Sequence, residues 1–408
     1  MSMRPFTSTI TLAEAMRLIF QAVTPVSRTE LVPLHEALGR VLAADVRATA
    51  DVPPFSRAGM DGYAVRAADT LGASRETPVS LSLVDRVFTG QVTSSTVVPG
   101  TCIEVATGAP MPAGADAVVM VEDTDAGAET VGGRIAIRTT VTPAQHVGRQ
   151  GADIAAGQTV LPDGTPLNAG RLGALAALGL TEAPVYVRPR VAILSTGNEI
   201  VEPGAPLEAG QIYDINRFTL GAVVTANGGA AEPHRATADT LDALLDALDD
   251  CADADVIVFS GGSSVGERDL MIDALTARGR VVFHGIAVKP GKPTAFGLIG
   301  GRQLVFGMPG YPASCLSNAY VMLAPVIRAL ARLPEPHRPP VRATLGQRVS
   351  SVVGRHQIFP VRLDGATAWP AFKASGDITS LAHADGYIEI AVDVGSLDAG
   401  TGVEVHLF

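Results

Sequence analysis

Residues 256–269, with the sequence VIVFSGGSSVGERD, decide the fold predicted for the largest part of this chain. A short apolar run ends in Ser260 and is followed by paired glycines, two serines, a further glycine and acids. This pattern predicts a buried strand that ends in a small-residue loop before a helix. Glycines let a ligand approach backbone amides, and serine hydroxyls donate to anionic oxygens. The stretch matches neither a Walker A loop nor a dinucleotide fingerprint, so alone it predicts an anion or nucleotide at the carboxyl end of a strand.

Around that stretch, predicted strands alternate with amphipathic helices from residue 186 to residue 332. The alternation predicts a central domain with a parallel sheet between two helical layers, a three-layer α/β arrangement. The strands are predicted at 191–194, 255–260, 281–284 and 304–306, and the helices at 216–226, 239–250, 270–277 and 312–330. Because ligands of such sheets bind beyond the carboxyl ends of the strands, the loops at that edge are candidates for a site.

The remaining chain predicts a mixed N-terminal domain, a β-rich insertion and a small C-terminal β-barrel domain. The N-terminal domain is predicted to be discontinuous, residues 1–50 and 145–185, and to begin with a helix capped by Thr11. Consecutive prolines, Pro53 and Pro54, mark the start of the insertion, residues 51–144. A proline-rich linker, residues 334–340, precedes the barrel, residues 341–408. The predicted fold class is therefore a multidomain α/β protein.

Composition excludes several classes of function. The formal net charge is -10 over 408 residues, which argues against binding to nucleic acid or to an anionic membrane. Three widely spaced cysteines, without CxxC spacing, predict neither a disulfide framework nor a zinc site: Cys102, Cys251 and Cys315. No signal peptide and no apolar run of membrane-spanning length is found. We expect a soluble cytoplasmic protein.

The segment Lys289-Pro290-Gly291-Lys292-Pro293 is the strongest single candidate for binding. Two lysines constrained by prolines and a glycine form a rigid cationic loop that suits phosphate or another oxyanion. We interpret this segment as functional, because a solvated surface rarely needs such stiffness. Residues 307–312, GMPGYP, then open a helix whose N-terminal amides can add to an anion site.

Other candidates have a structural interpretation beside the functional one. Asp61, in MDGYA (60–64), fits a turn, which is favoured, and also a ligand of Mg²⁺ or substrate. Thr107 fits a plain turn or a hydroxyl near an anion, and Asp153 fits a salt bridge with Arg149. Glu199, in STGNE (195–199), follows a strand of the α/β domain, where a site and a turn are equally consistent with the sequence.

The acids near predicted helix starts also have a structural interpretation. Asp269 fits a residue that complements the helix dipole, and Asp239 fits an N-cap. Ser375 and Ser380 are weak signals. The histidines have no metal-ligand spacing: His284, His356 and His383. Together, acids suited to Mg²⁺, constrained lysines and glycine-rich loops indicate nucleotidyl or phosphoryl chemistry.

Six segments together resemble the MoeA family, the molybdopterin molybdenumtransferases related to the E domain of gephyrin. They are MDGYAV (60–65), TGAPMP (107–112), STGNE (195–199), SGGSSVGERD (260–269), KPGKP (289–293) and GMPGYPAS (307–314). Each is weak alone, but they stand in family order and the domain layout matches over essentially the whole chain. The resemblance implies a MogA-like, molybdopterin-binding α/β domain. It also implies an elongated homodimer, with the active site between the α/β domain of one subunit and parts of the other.

The activity implied by this resemblance is insertion of molybdate into adenylylated molybdopterin, with Mg²⁺ as cofactor and release of AMP and molybdenum cofactor. The catalytic residues implied are Asp61, Thr107, Glu199, Asp269, Lys289 and Lys292. The substrate-binding residues implied are Asp153, Gly261, Gly262, Ser263, Ser264, Pro309, Pro312 and Ser375. Glu199 and Asp269 would position Mg²⁺, the lysines would hold molybdate or phosphate, and residues 261–264 would cradle the nucleotide or pterin phosphates.

Four positions depart from the family pattern. They are Gly148, where an arginine-rich run is reduced to Arg149; Ala238, in place of the first acid of a pair; Gly285, in place of a basic residue; and Tyr311, in place of asparagine. We expect these changes to reduce anion affinity or to mark a subtype, such as one that handles tungstate.

Alternative functions are a molybdopterin adenylyltransferase-type activity and a non-catalytic, gephyrin-like scaffold. The adenylyltransferase fold resembles residues 186–330, but the extra domains and MDGYAV argue against it as the sole activity. The presence of Asp61, Glu199 and Asp269 argues against a scaffold. A generic sugar-nucleotide or phosphoryl transferase is more distant. A separate adenylyltransferase is a candidate partner protein.

Overall fold

The computed structural model describes residues 9–125, 130–234, 240–261, 270–336 and 339–408. The chain divides into two compact units. The first consists of the residues up to Leu31, Gly39–Val41 and Pro184–Phe408, and the second of Val32–Leu38 and Leu42–Ala183. The division into four domains stays a prediction.

A six-stranded sheet forms the centre of the first unit. In spatial order its strands are Ala230–Pro233, Arg190–Ser195, Val256–Ser260, Gln303–Met308, Ala295–Ile299 and Gly279–His284. The first four are parallel, but Ala295–Ile299 is antiparallel to both of its neighbours. The prediction of a wholly parallel sheet was therefore wrong at this edge. A short turn at Gly300 and Gly301 leads directly into the next strand, so no helical crossover is needed.

Helices cover both faces of this sheet because its strands are apolar on both sides. Val258 packs in one core with Leu220, whereas its neighbour Phe259 packs in the other core with Leu244. Complete burial of a side chain such as Phe259 contributes about 2 kcal/mol. The helices of the first face are Leu12–Ala22, Asn216–Ala226 and the continuous helical segment that begins at Pro312; those of the second are Leu241–Asp250 and Leu270–Arg278. The predicted three-layer arrangement is confirmed.

The helical segment Pro312–Leu330 corrects the expectation that no apolar run reaches membrane-spanning length. It contains a π-helical stretch, Ala319–Leu323, between α-helices Pro312–Asn318 and Ala324–Leu330. With 19 residues and a mean hydropathy of 1.3, it is long and apolar enough to cross a membrane. In this structure 67% of the 18-residue window that has this hydropathy is buried, in the core of the α/β domain, and a core helix meets the same criteria.

Helix caps follow the sequence closely. The Thr11 hydroxyl accepts a hydrogen bond from the Glu14 amide at 3.1 Å, as predicted, and the Asn168 side chain caps helix Ala169–Ala177. The predicted cap at Asp239 needs correction. That residue lies outside the described ranges, and the N-cap of Leu241–Asp250 is Thr240, whose hydroxyl accepts from the Ala243 amide.

The C-terminal part of the first unit is a closed five-stranded barrel, as predicted. Its strands are Val341–Leu345, His356–Asp364, Thr367–Pro370, Gly386–Ile390 and Gly402–Leu407, with a short helix at Thr379–Ala382. Pairing of His356–Asp364 with Gly386–Ile390 closes the ring. Short strands complete this unit: Ile200–Val201, Ile212–Tyr213, Val288–Lys289, Val349–Ser350 and Ser396–Leu397.

The second unit contains a five-stranded sheet. In spatial order its strands are Ala117–Met120, Gly62–Val65, Thr101–Val105, Val79–Val87 and Arg134–Ile137. Gly62–Val65 is buried inside the sheet, so the interpretation of residues 60–64 as a turn was wrong beyond Asp61. Further strands are Val46–Arg47, Arg57–Ala58, Val147–Gly148 and Thr159–Leu161, with 3-10 turns at Ala67–Thr70 and Val121–Asp123. Thr29–Pro33, Leu34–Glu36 and Glu182–Tyr186 are the remaining elements.

The three cysteines are free and buried. Burial raises the pKa of Cys102 to about 12, that of Cys251 to about 11 and that of Cys315 to about 12. Because the thiolate is the reactive form, we expect no reaction with a thiol reagent at pH 8 in the native protein and three thiols titrated in guanidinium. A thiol that reacts without denaturant would contradict this burial.

Candidate functional site

A cavity of about 1150 Å³ lies at the carboxyl edge of the parallel strands. Ser195 and Ser260 end two of these strands, and Pro309 follows a third. The residues of the cavity wall that the sequence predicted are Glu199, Gly261, Lys289, Lys292, Pro309, Pro312 and Ser375. Residues from distant parts of the first unit are thus brought together at the edge where ligands of such sheets bind.

Both lysines lie in one loop, residues 288–293, which we call the lysine loop. On one side, Val288–Lys289 pairs in parallel with the start of barrel strand His356–Asp364. On the other, the amide of Ile286 donates to the carbonyl of Lys292 at 2.9 Å. The loop is therefore connected by backbone hydrogen bonds to the barrel and to the α/β domain.

Buried side chains form hydrogen bonds with the tip of the lysine loop and hold it in place. The Nδ2 of Asn318 donates to the carbonyl of Gly291 at 3.1 Å and to the hydroxyl of Thr294 at 2.6 Å, and that hydroxyl donates to the same carbonyl at 2.8 Å. Asn318 and Thr294 have no exposed surface. Gly291 has φ +101°, and a Cβ there would lie 2.2 Å from Asn318 Nδ2, so no side chain fits. This contact fixes the backbone that carries both lysines.

Lysine is rare in this chain, which makes its placement informative. It occurs at three positions only, Lys289, Lys292 and Lys373, among 31 basic residues. The lysine ammonium group is a compact point charge, whereas the arginine guanidinium group is planar and presents several donors in a fixed geometry. Two of the three lysines therefore line this cavity.

Among the residues of the cavity wall that sequence reasoning missed are Arg355, Asp214 and Asn216. Arg355 comes from the barrel domain, and nothing in its local sequence marks it. Asp214 lies two residues before helix Asn216–Ala226 and Asn216 is its first residue, and short polar residues at a helix start are usually explained as caps. Helix-start amides contribute less than predicted, since the Ala313 amide donates to the carbonyl of Ser375 at 3.1 Å.

The predicted acids of this site are only in part described. Glu199 is exposed at the cavity, where its backbone carbonyl accepts from the Ile212 amide at 2.9 Å. Gly262, Ser263, Ser264 and Asp269 lie outside the described residues. Gly261 lies against Thr196, because a Cβ at Gly261, φ +102°, would be 2.4 Å from the Thr196 carbonyl oxygen.

In the second unit, the structure joins Asp61 and Thr107. One carboxylate oxygen of Asp61 accepts from the Thr107 amide at 2.7 Å and from its hydroxyl at 3.0 Å. These bonds, the amide first, hold the pKa of Asp61 below its ordinary value. Asp61 also lines a cavity of about 190 Å³ with Tyr63 and Glu104. The expected salt bridge of Asp153 is not formed: among described residues, Asp153 has no ion pair with Arg149.

Comparison with known proteins gives three family matches along the chain. They are "MoeA N-terminal region (domain I and II)" over residues 10–179, "Probable molybdopterin binding domain" over 192–329 and "MoeA C-terminal region (domain IV)" over 342–408. Molybdopterin molybdenumtransferase 2 of Mycobacterium tuberculosis is 40% identical over 92% of this chain and 94% of its own length. The chain belongs to the MoeA family.

Further members agree with this assignment. Molybdopterin molybdenumtransferase of a Nostoc species is 36% identical over 81% of this chain and 77% of its own length. The crystal structure of the molybdopterin biosynthesis MoeA protein of Pyrococcus horikosii has a TM-score of 0.84 and 39% identity, covering 98% of this chain and 99% of that one. The resemblance and the fold class predicted from the sequence are thereby confirmed.

The departures from the family pattern have different surroundings. Tyr311 is 68% exposed, precedes helix Pro312–Asn318 and lines the cavity. Gly285 leads into the lysine loop, where its amide donates to the Thr294 carbonyl at 2.9 Å. Gly148 pairs with Arg57 in the second unit, and Ala238 lies outside the described residues. Among the described departures, Tyr311 is therefore placed to contact a ligand in the cavity directly.

Removal of the contact below the lysine loop has a measurable consequence. We expect Asn318→Ala to lower the free energy of unfolding by about 1–3 kcal/mol, since two buried hydrogen bonds are lost. We also expect weaker molybdate protection of Lys289 and Lys292 against acetylation, measured by mass spectrometry, because the loop is no longer fixed.

Asn227→Ala is the matched control for this variant. Its Nδ2 donates to the Val223 carbonyl at 2.8 Å at the end of another helix of the same domain. It should lose stability without losing molybdate protection. Equal loss of protection in both variants would show that Asn318 acts only through global stability.

The Asp61–Thr107 contact predicts a titration. We expect Thr107→Val to raise the pKa of Asp61 part of the way toward its ordinary value of 3.8, because the hydroxyl is lost and the stronger amide contact remains. A carboxyl whose pKa is lowered by folding stabilises the folded state above its unfolded pKa, and this contribution disappears as pH falls through the folded pKa. Carbon NMR of the Asp61 carboxyl measures the shift, and an unchanged pKa would contradict the assignment.

Proposed function

We propose that the protein is a molybdopterin molybdenumtransferase, which inserts molybdate into adenylylated molybdopterin and releases AMP and molybdenum cofactor. The observation that carries this proposal is the convergence of Lys289, Lys292 and Ser375 on one cavity at the sheet edge. Relatives that match over most of this chain bear the name of that activity. A volume of about 1150 Å³ is sufficient for a pterin with an attached nucleotide.

The cationic wall of the cavity is the proposed oxyanion site. Lys289, Lys292 and Arg355 supply positive charge, and Ser375 supplies a hydroxyl donor. The whole chain has a net charge of -10, so this patch is a local exception to an acidic protein. Molybdate and the substrate phosphates are anions of the kind such a patch attracts. Ordered cations would also stabilise negative charge that develops as AMP leaves.

Glu199 and Asp269 are the proposed holders of Mg²⁺. Glu199 supplies an exposed carboxylate at the cavity, and carboxylate oxygens suit this cation. The described residues contain no group of three or more acids, histidines or cysteines placed to hold a metal, so Glu199 needs a second acid such as Asp269. When bound, Mg²⁺ would neutralise charge on the phosphates of the substrate.

We further propose a cytoplasmic homodimer that receives its substrate from an adenylyltransferase. Free buried thiols are consistent with a reducing compartment. Exposed apolar side chains in the first unit, such as Leu207, Ile212 and Phe218, offer surface for a second subunit. Sedimentation of the purified chain, alone and with the adenylyltransferase, tests both associations.

The deciding experiment follows AMP release from adenylylated molybdopterin in the presence of Mg²⁺ and molybdate. We expect Lys289→Ala and Lys292→Ala each to lower the rate at subsaturating molybdate by about 10-fold or more, since each removes a charged contact with the oxyanion. Lys373→Ala is the matched control, because Lys373 is exposed and its ammonium donates to Thr379.

The outcomes separate the alternatives. Molybdate-dependent AMP release that both loop variants lose supports the transferase. Tight pterin binding without turnover favours the scaffold, and turnover restored by tungstate identifies the oxyanion instead. Formation of adenylylated molybdopterin from ATP would favour adenylyl transfer. Equal rates in all three lysine variants would refute the oxyanion site.

A further inference from the structure

The floor of the cavity is formed by buried polar residues that the oxyanion site does not use. These are Ser195, Thr196, Asp214 and Asn216, which we call the cavity floor. Each is at least nine-tenths buried. In each, one side-chain oxygen receives no hydrogen bond from any residue that the structure describes: Ser195 Oγ, Thr196 Oγ1, Asp214 Oδ2 and Asn216 Oδ1.

Other contacts hold the floor in place. The Thr196 amide donates to the Ser260 carbonyl at 3.0 Å, and Nδ2 of Asn216 donates to the Gly310 carbonyl at 2.8 Å. The second carboxylate oxygen of Asp214, Oδ1, accepts from the Arg217 amide at 3.0 Å. The floor is therefore attached to the strand ends and to the start of helix Asn216–Ala226. Its four oxygens that receive no hydrogen bond remain available to a ligand.

A buried carboxylate oxygen without a hydrogen bond is costly, and Arg217 supplies only a nearby positive charge. The Arg217 Nε lies 3.8 Å from Asp214 Oδ2, too far for a hydrogen bond, while its terminal nitrogens donate to Glu202. Burial of a polar group without a hydrogen-bond partner destabilises the folded state, and more so when the group is charged. A ligand that brings N–H donors to the floor would remove this cost.

The charge around the floor favours a neutral donor edge over a cation. Asp214 is the one carboxylate of the floor, and Arg217 already places a positive charge 3.8 Å from it. A metal ion at the same oxygen would be repelled by that guanidinium, whereas neutral N–H groups would not. The floor thus offers a carboxylate and an amide oxygen as acceptors, beside two hydroxyls that donate or accept.

We propose that the cavity floor binds the 2-amino and N3–H edge of the pterin, with Asp214 as the residue that specifies it. This inference rests on the proposed function, which makes a pterin the substrate. A 2-aminopyrimidinone presents two adjacent donors, which match the acceptors of a carboxylate. Adenine presents one amino group beside an acceptor nitrogen, which matches a carboxylate less well.

A comparison of two free heterocycles tests the proposal without any variant. Pterin and lumazine differ in the group at position 2, an amine in pterin and a carbonyl in lumazine. We expect the wild-type protein to bind pterin about 10- to 100-fold more tightly, measured by quenching of ligand fluorescence, because lumazine places an acceptor against Asp214. Equal affinity, or no binding of either at millimolar concentration, would overturn the proposal.

The variant Asp214→Asn then tests whether Asp214 is the residue responsible for the preference for pterin over lumazine. The change is isosteric and keeps the oxygen that accepts from the Arg217 amide, so the helix start is preserved. We expect the preference for pterin to be lost or reversed. Asp249→Asn is the matched control, because Asp249 forms an exposed ion pair with Arg278 elsewhere in the same domain. Preference retained in Asp214→Asn would refute the assignment.

Two further results separate this inference from the proposed function. AMP release by a wild-type protein that does not distinguish pterin from lumazine would leave the transferase intact and refute the floor assignment. Pterin preference lost in Asp214→Asn, in a protein that releases no AMP, would support the floor and refute the transferase. Mn²⁺ binding that Asp214→Asn abolishes, with pterin preference unchanged, would identify a cation site and overturn the proposal.

Discussion

Burial of one strand on both of its faces is the constraint on which the α/β domain depends. Val256–Ser260 lies between two parallel neighbours, and all of its residues are buried. Since such a strand is stable only when helices cover both faces, it requires strands and helices to alternate along this part of the chain. The chain leaves each parallel strand at the same edge, and polar loops collect there. The cavity is therefore a consequence of how the central strand is buried.

Periodicity and caps were sufficient to predict elements that local sequence determines. Helix Leu12–Ala22 with its Thr11 cap and helix Asn216–Ala226 are examples. Strand Ala295–Ile299 was not predicted, because its short sequence contains Gly297 and has no clear alternation. The reason for that glycine is tertiary: a Cβ there would lie 2.4 Å from Cδ2 of Leu275 in the covering helix. Packing against a distant helix decides this strand, and no local pattern records it.

The candidate site shows the same difference between residues that the local sequence reveals and residues that only the packing reveals. The functional part of the lysine loop was predicted because charge and backbone stiffness occur together in five consecutive residues, 289–293. Asn318 was missed because its partner, Gly291, lies 27 residues earlier, and a polar residue inside an apolar helix has no distinctive local pattern. Asp214 was missed for a related reason, since its backbone contact resembles an ordinary cap. Residues proposed to bind through their own charge are visible in the sequence, whereas the residues that hold them in place become visible only in the fold.

The two polar surfaces of the cavity have opposite character, and this determines more than affinity. The lysine loop offers cations, and the cavity floor offers acceptors that include the Asp214 carboxylate. A ligand with phosphates at one end and N–H donors at the other satisfies both surfaces in one orientation. In the reverse orientation, a phosphate would face a buried carboxylate, and partial desolvation strengthens that repulsion. Because the Asn318 contact fixes the lysine loop, the proposed selection of orientation would be built into the protein before the substrate arrives.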